Sequence, residues 1–279
     1  MTSPSKPNYR AVLVGINYIG TSSQLSGCIN DVRKVSKFLT EQVGFLPEEI
    51  TVLTDDQAKT SALYPSRANM LAAFTKAAGE IKQAGDVLFV HYSGHGAYLR
   101  QSAAKRQQGD EDDGQDETLC PADYATAGFI IDDDLRKILV DPLPAGAVCR
   151  VLFDQCHSAT ALDLRYTYAP ANAIALGSGL RKTKNAKIPL CRADVKSLSG
   201  CLDAGTSADS WIDGAATGAL TYAVMKTAKS LGLDADCGTL LNAVNRYMIT
   251  NRYQQRPVLS SGLKEDVGAT TFFFKLNRK

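Results

Sequence analysis

Six short apolar, β-branched runs punctuate the chain: 9–16 (YRAVLVGI), 49–54 (EITVLT), 86–92 (DVLFVHY), 147–154 (AVCRVLFD), 195–200 (VKSLSG) and 270–276 (TTFFFKL). The first four have the near-continuous apolarity of strands covered on both faces. Between them, 31–43 and 66–84 carry apolar residues at helical spacing, and Ser66 stands where a helix N-cap belongs. Further helices fit 132–140, 215–231 and 237–250. Strand alternating with helix predicts a mainly parallel sheet with helices on both faces. Two stretches break the rhythm. Residues 96–131 are too long for an ordinary strand-to-helix loop and hold six acids among the eight residues from Asp110 to Glu117. Residues 164–194 lack a periodic apolar pattern, and from Gly179 to Lys196 six Lys or Arg face one acid, Asp194. That composition predicts an exposed, flexible segment open to proteolysis.

Composition narrows the class of protein. The chain has 279 residues, 44% hydrophobic and 22% charged, enough for one large domain or two small ones and too apolar for disorder. A net charge of +2 gives no field that would draw nucleic acid or an anionic membrane. The apolar run Ala11 to Ile16 is too short for a signal core or a membrane span, so a cytoplasmic location is expected. Seven cysteines, at 28, 120, 149, 156, 191, 201 and 237, are odd in number and form no CxxC pair. Reduced thiols are expected, not a disulfide framework or a thiolate zinc site.

In an open parallel sheet, ligands gather beyond the carboxyl ends of the strands. DVLFV is followed there by His91-Tyr92-Ser93-Gly94-His95-Gly96, and CRVLF by Asp154-Gln155-Cys156-His157-Ser158. Cysteine and histidine at neighbouring strand ends suit thiolate chemistry, because imidazole takes the thiol proton and the resulting ion pair stabilises the thiolate. His91 lies within the strand end and is expected to be packed, while His157 adjoins the cysteine and is poorly placed as its base. His95, between two glycines, is the remaining candidate. The N–H groups of Gly96 and Cys156 are candidates for an oxyanion hole. Cys149 sits inside a strand and is expected to be buried.

GINYIGTSSQLSGCIND (15–31), VHYSGHG (90–96), IIDDDL (130–135), FDQCHSATALDL (153–164) and SGCLDAGTSAD (199–209) together resemble the metacaspases, caspase-fold cysteine peptidases. The resemblance covers residues 9 to about 225 and is closest to type I. It implies a caspase-like three-layer α/β/α sandwich around a mostly parallel sheet of six or more strands. A polar tail (1–8) would precede a p20-like catalytic part (9–164), a basic flexible linker (165–194) and a p10-like part (195–279) completing the same domain. It makes His95 and Cys156 the catalytic dyad of an endopeptidase cleaving protein or peptide substrates after Arg or Lys. The S1 pocket would be Cys28, Asp31, Ser93 and Asp154. A monomer is expected, with TTFFFKL as the edge strand.

The acidic residues admit more than one reading. Acid clusters are usually solvated, Asp31 could cap the helix from 31, Asp154 could brace a loop, and Asp132 or Asp133 could cap the helix from 132. GDEDDG fails the EF-hand template, so calcium would need carboxylates from elsewhere in the chain. The resemblance selects Asp116, Asp132, Asp133 and Asp163 as ligands for Ca2+. An enzyme that cuts after basic residues would meet the basic linker on its own chain at very high effective concentration, which makes it the expected site of self-cleavage, after Arg181, Lys182, Lys184, Lys187 or Arg192. Two positions depart from the family pattern: Gln155, where cysteine or serine is commoner, and Ala159, where glycine is usual. They motivate the alternative of a catalytically weakened caspase-fold scaffold or aggregate-binding protein.

Overall fold

The computed structural model describes residues 6–100, 115–155, 162–171, 179–201, 209–212, 215–264 and 267–278. In chain order these form β1 (Tyr9–Gly15), α1 (Cys28–Phe38), β2 (Ile50–Thr54), α2 (Arg67–Gly79), β3 (Val87–Ser93), β4 (Gly96–Arg100) and β5 (Gln115–Leu119). There follow α3 (Tyr124–Ala127), β6 (Ile130–Ile131), α4 (Asp132–Leu139), β7 (Val148–Asp154), β8 (Tyr166–Pro170), β9 (Leu180–Lys184) and β10 (Asp194–Cys201). The chain closes with β11 (Asp209–Ile212), β12 (Ala215–Gly218), α5 (Ala219–Leu231), α6 (Cys237–Thr250) and β13 (Arg256–Ser261).

An eight-stranded sheet in the order β2-β1-β3-β7-β10-β13-β8-β9 forms the middle layer. Its first five strands are parallel, and β13, β8 and β9 extend it antiparallel. Strand periodicity splits the core in two. Val12 and Val14 pack with Met70 and Phe74 of α2 and Leu135 of α4, whereas Ala11 and Leu13 pack with Val32 and Val35 of α1, Ala223 of α5 and Leu241 of α6. Every residue of β3 is buried, as its unbroken apolar run predicts. Ser66 caps α2 as expected, accepting a hydrogen bond from the Asn69 N–H.

Three expectations change. TTFFFKL is not a strand beyond a single bridge from Asp236 to Thr271. Its Phe273 instead packs edge-on against Phe38, ring centroids 5.0 Å apart, and stacks near Phe89 at 6.3 Å. An apolar run of this length does not by itself distinguish a strand from a packed irregular segment. The last strand of the chain is instead β13, paired on both sides with β10 and β8, and β9 forms the edge; Pro257 and its serines hide β13 from a pattern search. Second, the segment 165–194 is not simply a flexible linker: β8 and β9 form a hairpin at the sheet edge, paired from Tyr166–Lys184 to Pro170–Leu180. Third, the helix from 215 begins only at Ala219, because 215–218 pair as β12 with β11. The long insertion 96–131 contributes a small separate sheet, β4-β5-β6.

Candidate active site

The parallel strands set the site. β3 and β7 run in register from Val87–Val148 to Ser93–Asp154. His95 lies two residues beyond Ser93, and Cys156 lies two residues beyond Asp154. Cys156 and Ala159 fall outside the described residues, as does the side chain of Asp116. The turn carrying His95 is tied to both neighbouring strands: the Gly94 N–H reaches the Asp154 carbonyl at 3.5 Å, and the Ile16 N–H donates to the Ser93 carbonyl at 3.0 Å.

The half-buried His95 imidazole places Nε2 2.8 Å from the Ser23 carbonyl oxygen. A carbonyl only accepts, so Nε2 carries the proton and Nδ1 keeps the lone pair that a base needs. His91, by contrast, is fully buried, with Nδ1 3.0 Å from the Leu152 carbonyl, and burial lowers its pKa to about 4. It stays neutral and packed, as its place within the strand suggests. Burial likewise pushes the Cys149 thiol up to about 12, which leaves it an inert core residue. Gly96 opens β4 opposite Leu119.

Three of the four residues expected to form a pocket converge. Asp31 and Asp154 are both buried. Asp31 Oδ2 accepts from Ser93 Oγ at 2.8 Å and from the Gly218 N–H at 2.9 Å, and Oδ1 accepts from Thr217 Oγ1. Asp154 Oδ2 accepts from the Thr221 N–H at 2.7 Å. Both carboxylates thus meet the N-terminal end of α5, whose unpaired N–H groups and dipole favour negative charge. They flank Gly218 closely: a Cβ there would collide with Asp154 Oδ2 and lie 2.7 Å from Asp31 Oδ2. Burial, then the charge of Asp154, raises the Asp31 pKa to about 7. Asp31 does not cap α1, which starts three residues earlier after Gly27. Cys28 is buried at the head of α1, one turn before Asp31, and its N–H donates to Asn17 Oδ1 at 3.0 Å. Sequence reasoning missed Thr217, Gly218 and Thr221; the available signal was the Thr-Gly pair before an apolar helical run, read instead as helix.

A second carboxylate group lies on the other side of the sheet. Asp132, Asp133 and Asp163 each bring an oxygen within 4.8 Å of the others. Asp132 Oδ2 accepts from the Glu117 N–H at 2.7 Å and Oδ1 from the Asp133 N–H at 2.8 Å, so Asp132 tethers β5 and does not act as the N-cap of α4. Asp163 adopts a left-handed φ of 47°. Arg136 of α4 donates to the Asp163 carbonyl and, at 3.3 Å, to the Pro189 carbonyl. An all-oxygen donor set with two buried carboxylates suits a hard cation such as Ca2+ and not a soft one.

The candidate cleavage residues separate into two groups. Arg181, Lys182 and Lys184 lie on β9, paired to β8, and Lys182 Nζ sits 4.4 Å from the centre of the Tyr166 ring. Lys187 and Arg192 lie outside any strand and are exposed, with Arg192 donating to the Asp141 carbonyl at 2.9 Å.

Comparison with known proteins bears on this arrangement. The model of the metacaspase, peptidase C14 domain matches residues 9–165. Metacaspase-1 of Mycosarcoma maydis is 39% identical over 290 residues, covering 90% of this chain and 70% of that protein. Metacaspase-1 of Schizosaccharomyces pombe is 37% identical over 291 residues, covering 90% and 66%. Among solved structures, a Geobacter sulfurreducens protein superposes with a TM-score of 0.64 at 24% identity, covering 97% of this chain and all of that one. Caspase-1 of Spodoptera frugiperda superposes with a TM-score of 0.55 at 15% identity, covering 98% and 93%, which supports the shared fold.

Proposed function

The chain belongs to the metacaspase family of cysteine peptidases, and from that premise we propose that it is a calcium-dependent endopeptidase cleaving after Arg or Lys. The observation that carries the mechanism is the His95 ring, whose Nε2 proton is held by the Ser23 carbonyl so that Nδ1 is free to act as base. His95 takes the Cys156 thiol proton, and the thiolate attacks the scissile carbonyl carbon. The oxyanion of the tetrahedral intermediate is met by the N–H groups of Gly96 and Cys156. As the C–N bond breaks, the imidazolium returns its proton to the leaving amine, leaving a thioester. Water, deprotonated by His95, then hydrolyses the thioester and restores the thiol.

Asp31 and Asp154 supply the negative charge that selects a guanidinium or ammonium at P1, with Ser93 orienting Asp31. Asp132, Asp133 and Asp163, joined by Asp116, would hold Ca2+, which when bound neutralises carboxylates that otherwise repel one another. The basic stretch 179–192 supplies the site of self-cleavage. The test is hydrolysis of fluorogenic Arg and Lys peptides with and without calcium, with Cys156→Ala as the blank. Calcium-stimulated turnover absent from the blank is expected. A thiol unreactive in both conditions would favour the weakened scaffold that Gln155 and Ala159 suggest.

A further inference from the structure

The peptide of His95 is gripped by two buried phenols. Tyr18 Oη accepts from the His95 N–H at 2.9 Å and donates to the Cys120 carbonyl at 2.7 Å. Tyr92 Oη donates to the His95 carbonyl at 2.7 Å and accepts from the Cys120 N–H at 3.2 Å. In this pairing each hydroxyl gives one hydrogen bond and receives one. The two oxygens lie 3.1 Å apart, Tyr92 Oη is also 3.1 Å from the Cys120 carbonyl, and the Cys120 N–H donates directly to the His95 carbonyl at 3.2 Å, so the phenols brace a backbone contact that is already there. The result is a closed square linking the peptides of His95 and Cys120. The Tyr18 ring also packs against the imidazole, centroids 4.6 Å apart.

The surroundings are shaped to hold this square. An added Cβ at Gly94 would lie 2.7 Å from Tyr92 Oη and 3.1 Å from Tyr18 Oη, so the hydroxyls occupy the space a side chain there would need. Tyr18 itself has a left-handed φ of 51°, uncommon for a residue with a side chain. Asp55, just beyond β2, brackets that turn: its two oxygens accept from the Asn17 N–H at 2.8 Å and the Ile19 N–H at 2.9 Å. The same loop returns the Ser23 carbonyl to His95 Nε2. The imidazole is thus held through its ring and through both sides of its own peptide by one loop and one strand end.

We propose that Tyr18 and Tyr92 are positioning residues for the base: their hydroxyls fix the His95 peptide, and with it the direction of the ring. The inference rests on the reading of His95 as general base. Burial pushes both phenols well above their ordinary range, so they stay protonated and both hydroxyls remain able to donate throughout the working pH range. A backbone carbonyl and N–H alone would leave the turn dependent on two flanking glycines, which resist rotation least of all residues.

The test uses the full chain with calcium. Tyr18→Phe and Tyr92→Phe keep the rings and delete the hydroxyls. Each is expected to lower kcat on an Arg peptide by about 10- to 100-fold with KM changed less than about twofold, because a base displaced by a fraction of an ångström fails in the transition state and not in substrate binding. The pH at which iodoacetamide half-maximally alkylates Cys156 is expected to rise in parallel, as the imidazolium no longer stabilises the thiolate. Asp55→Asn, a half-exposed isosteric change, should move both readouts in the same direction by less, and carries the test if a phenylalanine variant fails to fold. Unchanged kcat and an unchanged alkylation profile in these variants, whatever happens to their Tm, would overturn the proposal. His95→Ala separates the two readings: full activity in that variant removes the base itself, whereas an inactive His95→Ala beside a normal Tyr18→Phe removes only the positioning role.

Discussion

The two groups of buried carboxylates handle the same problem differently. Asp31 and Asp154 are met by neutral donors whose directions are fixed: a serine and a threonine hydroxyl and the N–H groups that open α5. Asp132, Asp133 and Asp163 converge oxygen on oxygen, while Arg136, the cation beside them, directs its guanidinium to the carbonyls of Asp163 and Pro189 and pairs with the Asp141 carboxylate at 3.3 Å. Dipoles orient a carboxylate without cancelling its charge, so both places remain electron-rich. The first presents oriented oxygens suited to a cation with directional hydrogen bonds, and the second a cluster suited to a spherical ion. Substituting each group and reading the two responses separately is the way to break this contrast.

The largest effect is expected at the first group. Removing one partner of a buried charge-assisted contact costs about 2–5 kcal/mol, so Asp31→Asn or Asp154→Asn should lower kcat/KM on Arg and Lys peptides by about 30-fold to a few thousand-fold. Asparagine keeps the shape and part of the hydrogen bonding to α5. Cleavage after Asp by the unsubstituted enzyme would contradict the acidic pocket outright.

The second group should respond through calcium and not through P1. Asp163→Asn is expected to raise the calcium concentration for half-maximal activity by about 10- to 100-fold, with the ratio of Arg to Lys cleavage unchanged. Chelation of the unsubstituted protein should suppress turnover while leaving the far-UV circular dichroism and thermal transition nearly unaltered, because these carboxylates lie at loop and helix ends and the sheet is held by apolar strands. A large loss of secondary structure on chelation would make the ion structural.

A smaller, pH-dependent difference separates the groups further. With its pKa raised to about 7 by burial and by Asp154, Asp31 keeps a proton in the folded protein at pH values where the unfolded chain has released it. Folding therefore takes up a proton between the unfolded value and about 7, and the stability contribution is present in full at low pH and falls as pH rises through that window. Asp31→Asn should remove this dependence, so its Tm relative to the unsubstituted protein should be higher at pH 8 than at pH 5. A guanidinium ligand needs the ionised acid. Its affinity for Cys156→Ala protein should rise by up to about tenfold per pH unit below 7 and level off above it. A flat profile would mean that Asp31 does not face the ligand.

The legible part of the molecule follows the same division. Four parallel strands were visible as apolar runs, three of them because both of their faces are covered and β2, at the edge and partly exposed, by its β-branched composition, and the residues beyond their ends followed from the topology. The antiparallel extension was not visible. β9 is LRKTK, exposed at four of its five positions, and β13 carries Pro257 and two serines. Such strands are defined by the edge they join more than by their own composition. Asp31, Ser93 and Asp154 could be grouped from motifs, but Thr217, Gly218 and Thr221 could not, since their role depends on α5 being aimed at β7 across more than sixty residues of chain.

Self-cleavage should have the smallest effect on turnover and shows how separate the groups are. A peptidase needs an extended, unpaired segment, and Arg181, Lys182 and Lys184 are committed to the β8–β9 ladder. Lys187 is exposed and outside it, so calcium should yield a principal cut after Lys187, identified by mass spectrometry of the fragments and absent in Cys156→Ala. The new end at Ile188 would stay in place, because the Cys191 N–H donates to the Gly262 carbonyl at 3.1 Å and Arg192 to Asp141 at 2.9 Å. Arg136 would then keep its contact with Pro189, and the Asp163 carbonyl its donor. Cut protein and uncut Lys187→Gln should consequently differ less than about twofold in calcium affinity and in kcat, since surface changes away from such contacts are usually small. A large difference would mean that the chain break is transmitted through Arg136 to the carboxylate cluster, joining the linker and the cation site in one device.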